Sequence, residues 1–234
     1  MVKDERTRKL ILYAYLGVEA FLFVLYIFVI RGYPTGNFLQ WLSILLCFVF
    51  ALLMGRNEIE LSALFFTALA DIFLVAIQPP YLNTGMVFFM LVQFAHAFYF
   101  YTIEPNKKKR LIILLCRLIL TIIMIIASII VVKDQVNFVV IAAMIYFSNL
   151  VISLICAFMI RNPFLMFGYM CFIMCDLDIG FSFIPVIAQS AFYDAINTFN
   201  LVWVFYLPSQ LLITLNSTKS LGYLDRIVNR LKSK

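Results

Sequence analysis

Long apolar runs recur along the chain, and they constrain its fold more than any other feature. Hydrophobic residues make up 65% of the 234 positions and charged residues 13%, whereas soluble domains average about 45–50% apolar and about 25% charged residues. So few charges cannot cover a globule with polar surface. Because a membrane-spanning α-helix needs about 20 consecutive apolar residues, the sequence predicts an all-α integral membrane protein.

Turn-forming stretches divide the chain into eight predicted transmembrane helices in a single membrane domain. The breaks include "RGYPTGN", "QPPYLNTG" and "EPNKKKR", which carry the Pro, Gly and Asn residues typical of turns. The charged start "MVKDERTRKL" leads into an apolar run longer than that of a secretory signal, so we expect this run to be retained as the first span. The predicted spans are 10–30, 39–54, 61–78, 85–102, 111–132, 138–158, 164–187 and 198–216, followed by a basic tail at 217–234.

The positions of the basic residues predict the orientation of these spans. With the N-terminus in the cytoplasm, fifteen of the eighteen Lys and Arg residues fall in cytoplasmic segments. Arg31 and Lys133 fall outside, and Arg117 lies within a span. This asymmetry follows the positive-inside rule, so we expect both termini to be cytoplasmic and the location to be the plasma membrane. The tail at 217–234 is either an amphipathic helix on the anionic inner leaflet or an ordinary charged tail.

Polar residues within the spans are few, and they mark candidate functional positions. A charge near the bilayer centre costs at least about 2.5–3.5 kcal/mol, so such residues face the interior of a bundle. Counting from the span ends places several of them within about 10 Å of the midplane. This coincidence favours a shared polar cavity over independent hydrogen bonds between helices. The polar positions are Glu19, Asp71, Gln93, His96, Arg117, Asn149, Asp176, Asp178 and Gln210, and the central ones are Asp71, His96, Asp176 and Gln210.

The stretch "CDLDIG" places two aspartates only two positions apart on one predicted helix. This spacing rotates the second side chain by about 200° from the first, so Asp176 and Asp178 cannot share a face. We expect Asp176 to join the central polar residues. For Asp178 we expect a contact with Arg117 or Asn149, or an indirect effect on the site. Arg117 can also extend toward the membrane surface.

Acid–base chemistry suits these residues better than metal chemistry. The chain contains one histidine, whereas zinc sites usually take several His or Cys ligands. An apolar environment disfavours a charged carboxyl group, and two neighbouring carboxyl groups acquire different proton affinities. One can then donate a proton while the other activates water. Asp71 and Asp176, with His96 nearby, supply these groups, although His96 is equally explained by a packing hydrogen bond.

Four stretches resemble motifs of the YhhN-like lysoplasmalogenase family. They are "TALADIFL", "QFAHAFYF", "GYMCFIMCDLDIGFSF" and "YLPSQLLI", in the family's order and spacing over about residues 61–216. The matching positions are Asp71, Leu74, Ala95, His96, Tyr99, Gly168, Asp176, Tyr206 and Gln210. Ala70, Cys175 and Pro208 depart from the family's usual residues.

This resemblance implies an eight-helix enzyme that cleaves the vinyl ether of a lysoplasmalogen without a metal or redox cofactor. The products would be a fatty aldehyde and a glycerophospho-headgroup alcohol. It implies Asp71 and Asp176 as an acid–base pair, His96 as an orienting or proton-relaying residue, and Tyr99, Tyr206 and Gln210 as substrate-binding residues. The expected partners are a lysophospholipid substrate and membrane lipids, with no nucleic acid. The alternatives are a transporter or binding protein for a small lipid or ion, and an assembly protein whose polar residues only pack helices.

Overall fold

The computed structural model describes residues 4–30, 34–54, 57–133, 136–182 and 201–217, and helices with no strand account for nearly all of them. Seven of the described helices are long and apolar enough to cross a membrane. The chain is therefore a multi-pass, all-α integral membrane protein. In chain order the helices are α1 (Glu5–Leu25, continued by a π-helical turn Tyr26–Ile30), α2 (Pro34–Met54), α3 (Glu58–Asp71, continued by a π-helical turn Ile72–Ala76), α4 (Leu82–Ile103), α5 (Lys107–Val132), α6 (Phe138–Met159), α7 (Pro163–Ser182) and the shorter α8 (Leu201–Ser217).

Each predicted span overlaps one of these helices, but α1 to α5 begin three to five residues before the predicted start. Side-chain caps explain the difference for α1, α3 and α5, whereas the residue before α4, Tyr81, makes no capping hydrogen bond. The Asp4 carboxylate accepts hydrogen bonds from the backbone N–H groups of Arg6 and Thr7, and the Asn106 side chain does the same at the start of α5. Such caps satisfy the free donors of the first turn, so helices begin within polar residues that hydropathy assigns to loops. The tail at 217–234 lies almost wholly outside the described residues, as do 183–187 and 198–200.

The helices surround a core centred on α4, α6, α7 and α8. α7 packs most extensively on α8, and α3 on α4, while α6 contacts α4, α5 and α7. α5 packs mainly on α6 and leaves most of its apolar surface facing outward. Short connections, such as residues 104–106 between α4 and α5, make consecutive helices antiparallel. We call the end at which α3, α5 and α7 begin the basic end of the bundle, since Lys107 to Arg110 lie there.

The sequence predicted no role for Glu19. In the structure this residue joins α1 to α2. Its buried carboxylate accepts hydrogen bonds from the Ser43 hydroxyl and, at 3.8 Å, from the Cys47 thiol. The Tyr15 hydroxyl lies 3.1 Å from the Cys47 sulfur, and the Tyr15 ring stacks on Phe50 with ring centroids 4.1 Å apart. A buried charge-bearing group needs such partners, so this network fixes the position of α1 on the bundle.

Gly168 allows the close approach of α7 and α8. A Cβ atom at this position would lie 2.9 Å from Ile213 Cγ1 and 3.3 Å from the Ser209 carbonyl oxygen. The second atom belongs to the backbone of α8, so it moves only if the helix moves. At Gly17, on the outward face of α1, a Cβ atom would meet nothing within 4 Å.

Gly168→Leu is therefore expected to destabilise the protein by about 1–3 kcal/mol, the usual cost of overpacking a core. Gly17→Leu is the matched control, because it adds the same atoms to open space on a helix of similar length. Thermal unfolding in detergent measures both variants. A melting temperature for Gly168→Leu equal to that of Gly17→Leu would contradict the close packing of α7 on α8.

Candidate functional site

Asp71 lies at the end of α3, where the chain passes into the π-helical turn Ile72–Ala76. Its side chain is 2% exposed. The hydroxyl of Tyr206 on α8 donates a hydrogen bond of 2.7 Å to the Asp71 carboxylate. A π-helical turn changes which way the following residues point, and such turns are frequent at functional sites. Asp71 is therefore a buried carboxyl group with one identified donor, held between two helices that are distant in sequence.

Asp176 on α7 has an equivalent partner on α6. The hydroxyl of Tyr146 donates a hydrogen bond of 2.6 Å to the Asp176 carboxylate. Tyr146 is buried and Asp176 is half-buried. Hydrogen bonds to a charged acceptor are short and stronger than neutral ones, so each Asp–Tyr pair fixes the direction in which its carboxyl group points.

Two phenylalanines bring the Asp–Tyr pairs into one layer. Phe89 on α4 lies 5.6 Å from the Tyr146 ring and 6.5 Å from the Tyr206 ring, between centroids. Phe172 on α7 lies 6.2 Å from the Tyr146 ring and 5.7 Å from the Tyr206 ring. Cys175 lies within electrostatic reach of both carboxyl groups. We call Asp71, Asp176, Tyr146, Tyr206, Phe89 and Phe172 the carboxylate layer.

The structure does not bring His96 into this layer. Its ring packs edge-on against Tyr169 at 5.4 Å, and the charge that acts on it is that of Arg117. His96 follows Phe89 by two helical turns on α4, about 10 Å nearer the basic end. Of the four central polar residues expected at one depth, His96 thus lies at a second level. The π-helical turn after α3 ends two residues before the predicted end of that span, and α4 begins three residues before its predicted start.

Several buried polar atoms within the bundle have no hydrogen-bond partner among the described residues. Gln93 is 1% exposed, yet neither atom of its amide is paired. Further unpaired atoms include the Tyr169 hydroxyl, the Gln210 amide nitrogen and the Trp203 indole nitrogen. A buried polar group without a partner costs about 1–3 kcal/mol, and most such groups in proteins are satisfied. These side chains can therefore bind water or a substrate oxygen.

The predicted substrate-binding residues occupy different positions relative to the carboxylate layer. Tyr206 belongs to it through its hydrogen bond to Asp71. Gln210 is buried one turn further along α8. Tyr99 is half-buried, with its ring 5.4 Å from Phe100, and it lies within electrostatic reach of Tyr169. Tyr206 and Gln210 are thus close enough along α8 to act together, while Tyr99 lies on the side of His96.

Asp178 contacts neither Arg117 nor Asn149, the two partners expected from the sequence. It is 7% exposed, and its carboxylate accepts a hydrogen bond from the backbone N–H of Val202, in the first turn of α8. A carboxylate is stabilising at a helix N-terminus because the free N–H groups there carry partial positive charge. Asp178 therefore joins α7 to the start of α8.

Arg117 also differs from its expected position at the membrane surface. Its guanidinium donates hydrogen bonds to the carbonyl oxygen and side-chain oxygen of Asn149, at 2.9 and 3.1 Å, and to the Ser153 hydroxyl at 3.2 Å. The side chain therefore turns inward, onto α6.

Tyr146 is the main residue of the site that the sequence analysis missed. A usable signal was present, because Tyr146 lies in the middle of a predicted span and not at its ends, where tyrosine usually occurs in membrane proteins. A central tyrosine hydroxyl needs a partner, and a carboxyl group at similar depth is available on the next span. Within the described ranges, no three His, Cys, Asp or Glu residues are grouped so as to hold a metal ion.

Comparisons with known proteins add no relative. No protein-family model, curated protein or solved structure matches the chain. The resemblance to YhhN-like lysoplasmalogenases therefore depends on the four short motifs alone.

Removing the Tyr206 hydroxyl with Tyr206→Phe is expected to destabilise the protein by about 1–3 kcal/mol, since the buried Asp71 carboxyl group then lacks its donor. Tyr13→Phe is the matched control, because Tyr13 is an outward-facing tyrosine with 68% exposure. Unfolding in detergent measures both. Equal melting temperatures would show that the Tyr206 hydroxyl does not stabilise Asp71.

Proposed function

We propose that this protein is a metal-independent membrane hydrolase that cleaves the vinyl ether bond of a lysoplasmalogen. The products are a fatty aldehyde and a glycerophospho-headgroup alcohol. One observation carries the proposal: two carboxyl groups from distant helices, each hydrogen-bonded to a tyrosine, share one aromatic layer inside the bundle. Vinyl ether hydrolysis needs an acid and a base held close together away from bulk water.

The reaction proceeds in three balanced steps. One Asp donates its proton to the alkene carbon that is not bonded to oxygen, and the carbon on oxygen becomes an oxocarbenium ion. Water adds to the carbon of that ion while the second carboxylate accepts a proton from the water. In the collapse of the resulting hemiacetal, the second carboxyl group gives its proton to the departing alcohol oxygen and the first accepts the hydroxyl proton, which yields the aldehyde and the alcohol and restores both groups. Fixed carboxyl groups stabilise the cation without reorganisation, and general acid–base catalysis by such groups contributes about 10²–10⁴-fold. Asp71 and Asp176 can fill either role.

The remaining residues act as positioning groups in this proposal. Tyr206 orients Asp71, and Tyr146 orients Asp176. The unpaired amide nitrogen of Gln210 can hold the attacking water or the ether oxygen. His96, at the second level, orients or relays a proton through Tyr169 rather than contacting the bond that breaks. Tyr99, on the same side, contacts the substrate nearer its headgroup.

We propose that the protein lies in the plasma membrane. In the proposed orientation it has eight spans, and both termini are in the cytoplasm. The distribution of basic residues supports it, since Lys107 to Arg110 mark one end of the bundle while Lys133 lies at the far end of α5. In this arrangement α8 is the eighth span, and its 17 residues are at the lower limit for crossing a bilayer.

A transporter for a small lipid or ion is the second candidate, and the irregular helices at the site favour it. α3 changes to a π-helical turn directly after Asp71, and Pro208, which has no backbone N–H to donate, lies inside α8 two residues after Tyr206. Transporters bind their substrates where helices are interrupted near the midplane. A direct assay of bond cleavage distinguishes the two functions, because transport releases no aldehyde.

Asp71→Asn and Asp176→Asn are each expected to lower aldehyde release from purified protein by about 100-fold or more, since the amide can neither donate nor accept the proton. Asp178→Asn is the matched control on α7, because an amide oxygen still accepts the hydrogen bond from Val202. It should retain activity. Aldehyde is measured directly, with folding checked by gel filtration in detergent.

The outcomes separate the alternatives. Wild-type activity in Asp71→Asn or Asp176→Asn would overturn the acid–base mechanism. A wild-type protein that releases no aldehyde from any lysoplasmalogen would overturn the hydrolase proposal and leave the transporter as the better candidate.

The proposed orientation predicts the reactivity of introduced thiols. Lys133→Cys should react with a membrane-impermeant maleimide in intact cells, whereas Lys108→Cys should react only after permeabilisation. The protein without either substitution gives the background labelling, which should be low because its five cysteines all lie within helices. Labelling of Lys108→Cys in intact cells would contradict cytoplasmic termini.

A further inference from the structure

A groove of about 300 Å³ lies between α4 and α5, near the basic end of the bundle. It forms because both helices pack on α6. Its walls are apolar and aromatic, with Phe94 and Phe98 on α4 and Leu114 on α5, while Ala97 keeps it open. The groove opens sideways between the two helices, onto the surface that faces lipid.

Arg117 brings a positive charge to this groove deep within the bundle. It lines the groove although its side chain is only 6% exposed, and it lies about 15 Å along α5 from the first residue of that helix. The groups that accept its hydrogen bonds are uncharged: two oxygens of Asn149, the hydroxyl of Ser153 and the thiol of Cys156. A cation at this depth costs at least about 2.5–3.5 kcal/mol, and an anion beside it would offset that cost.

Arg110 supplies a second guanidinium on the same wall. It precedes Arg117 by seven residues, which is two helical turns and about 10 Å. Arg110 is held at the groove by a hydrogen bond of 2.5 Å from its Nε to the Glu104 carbonyl oxygen, and by the Tyr101 ring at 5.0 Å. Lys107, Lys108 and Lys109 lie beside it at the membrane surface, where such a cluster attracts anionic lipids.

We propose that this groove is a binding site for a phosphate-bearing membrane lipid, with the phosphate between Arg110 and Arg117 and one acyl chain along Phe94, Phe98 and Leu114. Guanidinium groups bind phosphate through paired hydrogen bonds, and the aromatic walls suit a hydrocarbon chain. The volume is at the lower end of the range for ligand pockets, which favours one chain over two. The site is distinct from the carboxylate layer and does not depend on hydrolase activity.

A lipid fits this groove better than a soluble anion does. Arg117 is reached through an opening lined by apolar side chains on the face of the bundle turned toward the bilayer. A free phosphate ion would have to leave water to enter it, whereas a lipid already carries its phosphate at the membrane surface beside Arg110. Its chain is already within the hydrocarbon region.

Binding of three probes to the full chain in detergent tests this proposal. The probes are 1-oleoyl lysophosphatidic acid, monoolein, which has the chain without the phosphate, and glycerol 3-phosphate, which has the phosphate without the chain. Native mass spectrometry gives the affinity of each. We expect lysophosphatidic acid to bind about tenfold more tightly than either, the effect of one charge-assisted hydrogen bond.

Variants then assign that affinity to the groove. Arg117→Gln and Arg110→Gln should each lower the affinity for lysophosphatidic acid about tenfold and leave the affinity for monoolein unchanged. Ala97→Trp fills the groove and should lower the affinity for both lipids. Lys133→Gln is the matched control, since it removes an exposed charge at the far end of the same helix, away from the groove. Because Arg117 also supports α6, the Arg110 and Ala97 variants keep the test valid if Arg117→Gln does not fold.

Three results would overturn the proposal: equal affinity for monoolein and lysophosphatidic acid, equal affinity for glycerol 3-phosphate, or unchanged affinity in Arg110→Gln and Ala97→Trp. Loss of aldehyde release with intact lipid binding would contradict only the proposed function.

Discussion

The hydrogen bond from Tyr206 to Asp71 shows the constraint on which this structure depends. In an apolar interior a carboxyl group must have a partner within the protein, and for Asp71 that partner comes from the last described helix. The bond therefore ties α3 to α8 across 135 residues. Asp176 with Tyr146, and Glu19 with Ser43, follow the same rule on other helix pairs. Each buried carboxyl group fixes how two helices are turned toward each other.

Much of the fold was predictable, because a chain this apolar can cross a bilayer only as long helices or as a closed barrel, and its long apolar runs predict helices. The length of each apolar run predicted a helix, and the structure has a helix at every predicted span. Asp71 and Asp176 were selected because charged residues are rare within spans, and the structure brings both into one layer. The starts of α1 to α5 were predicted too late, in part because hydropathy does not register caps such as Asp4 and Asn106. Cytoplasmic termini, the count of eight spans and the enzymatic role of the site stay predictions.

The partners within the site were harder to predict, because they depend on how far each helix is rotated and shifted along its neighbour. Spacing alone showed that Asp176 and Asp178 point in different directions, but it did not show that Asp178 meets the start of α8. Likewise, His96 and Phe89 lie on the same helix, yet only Phe89 belongs to the carboxylate layer. An offset of two turns decides whether a histidine lies beside the carboxyl groups or within reach of the arginine's charge.

α5 supplies no residue to the carboxylate layer, although it is the longest described helix. It is joined to α6 by polar contacts, including the bond of 2.6 Å between the hydroxyls of Thr121 and Ser148. Substitutions on its outer face therefore leave the buried carboxyl groups in place. In evolutionary terms, the surface that adapts to the host's membrane can diverge rapidly while the interior is retained. Distant relatives should therefore resemble each other in the buried residues of α3, α4, α6, α7 and α8 and differ most on the outer face of α5.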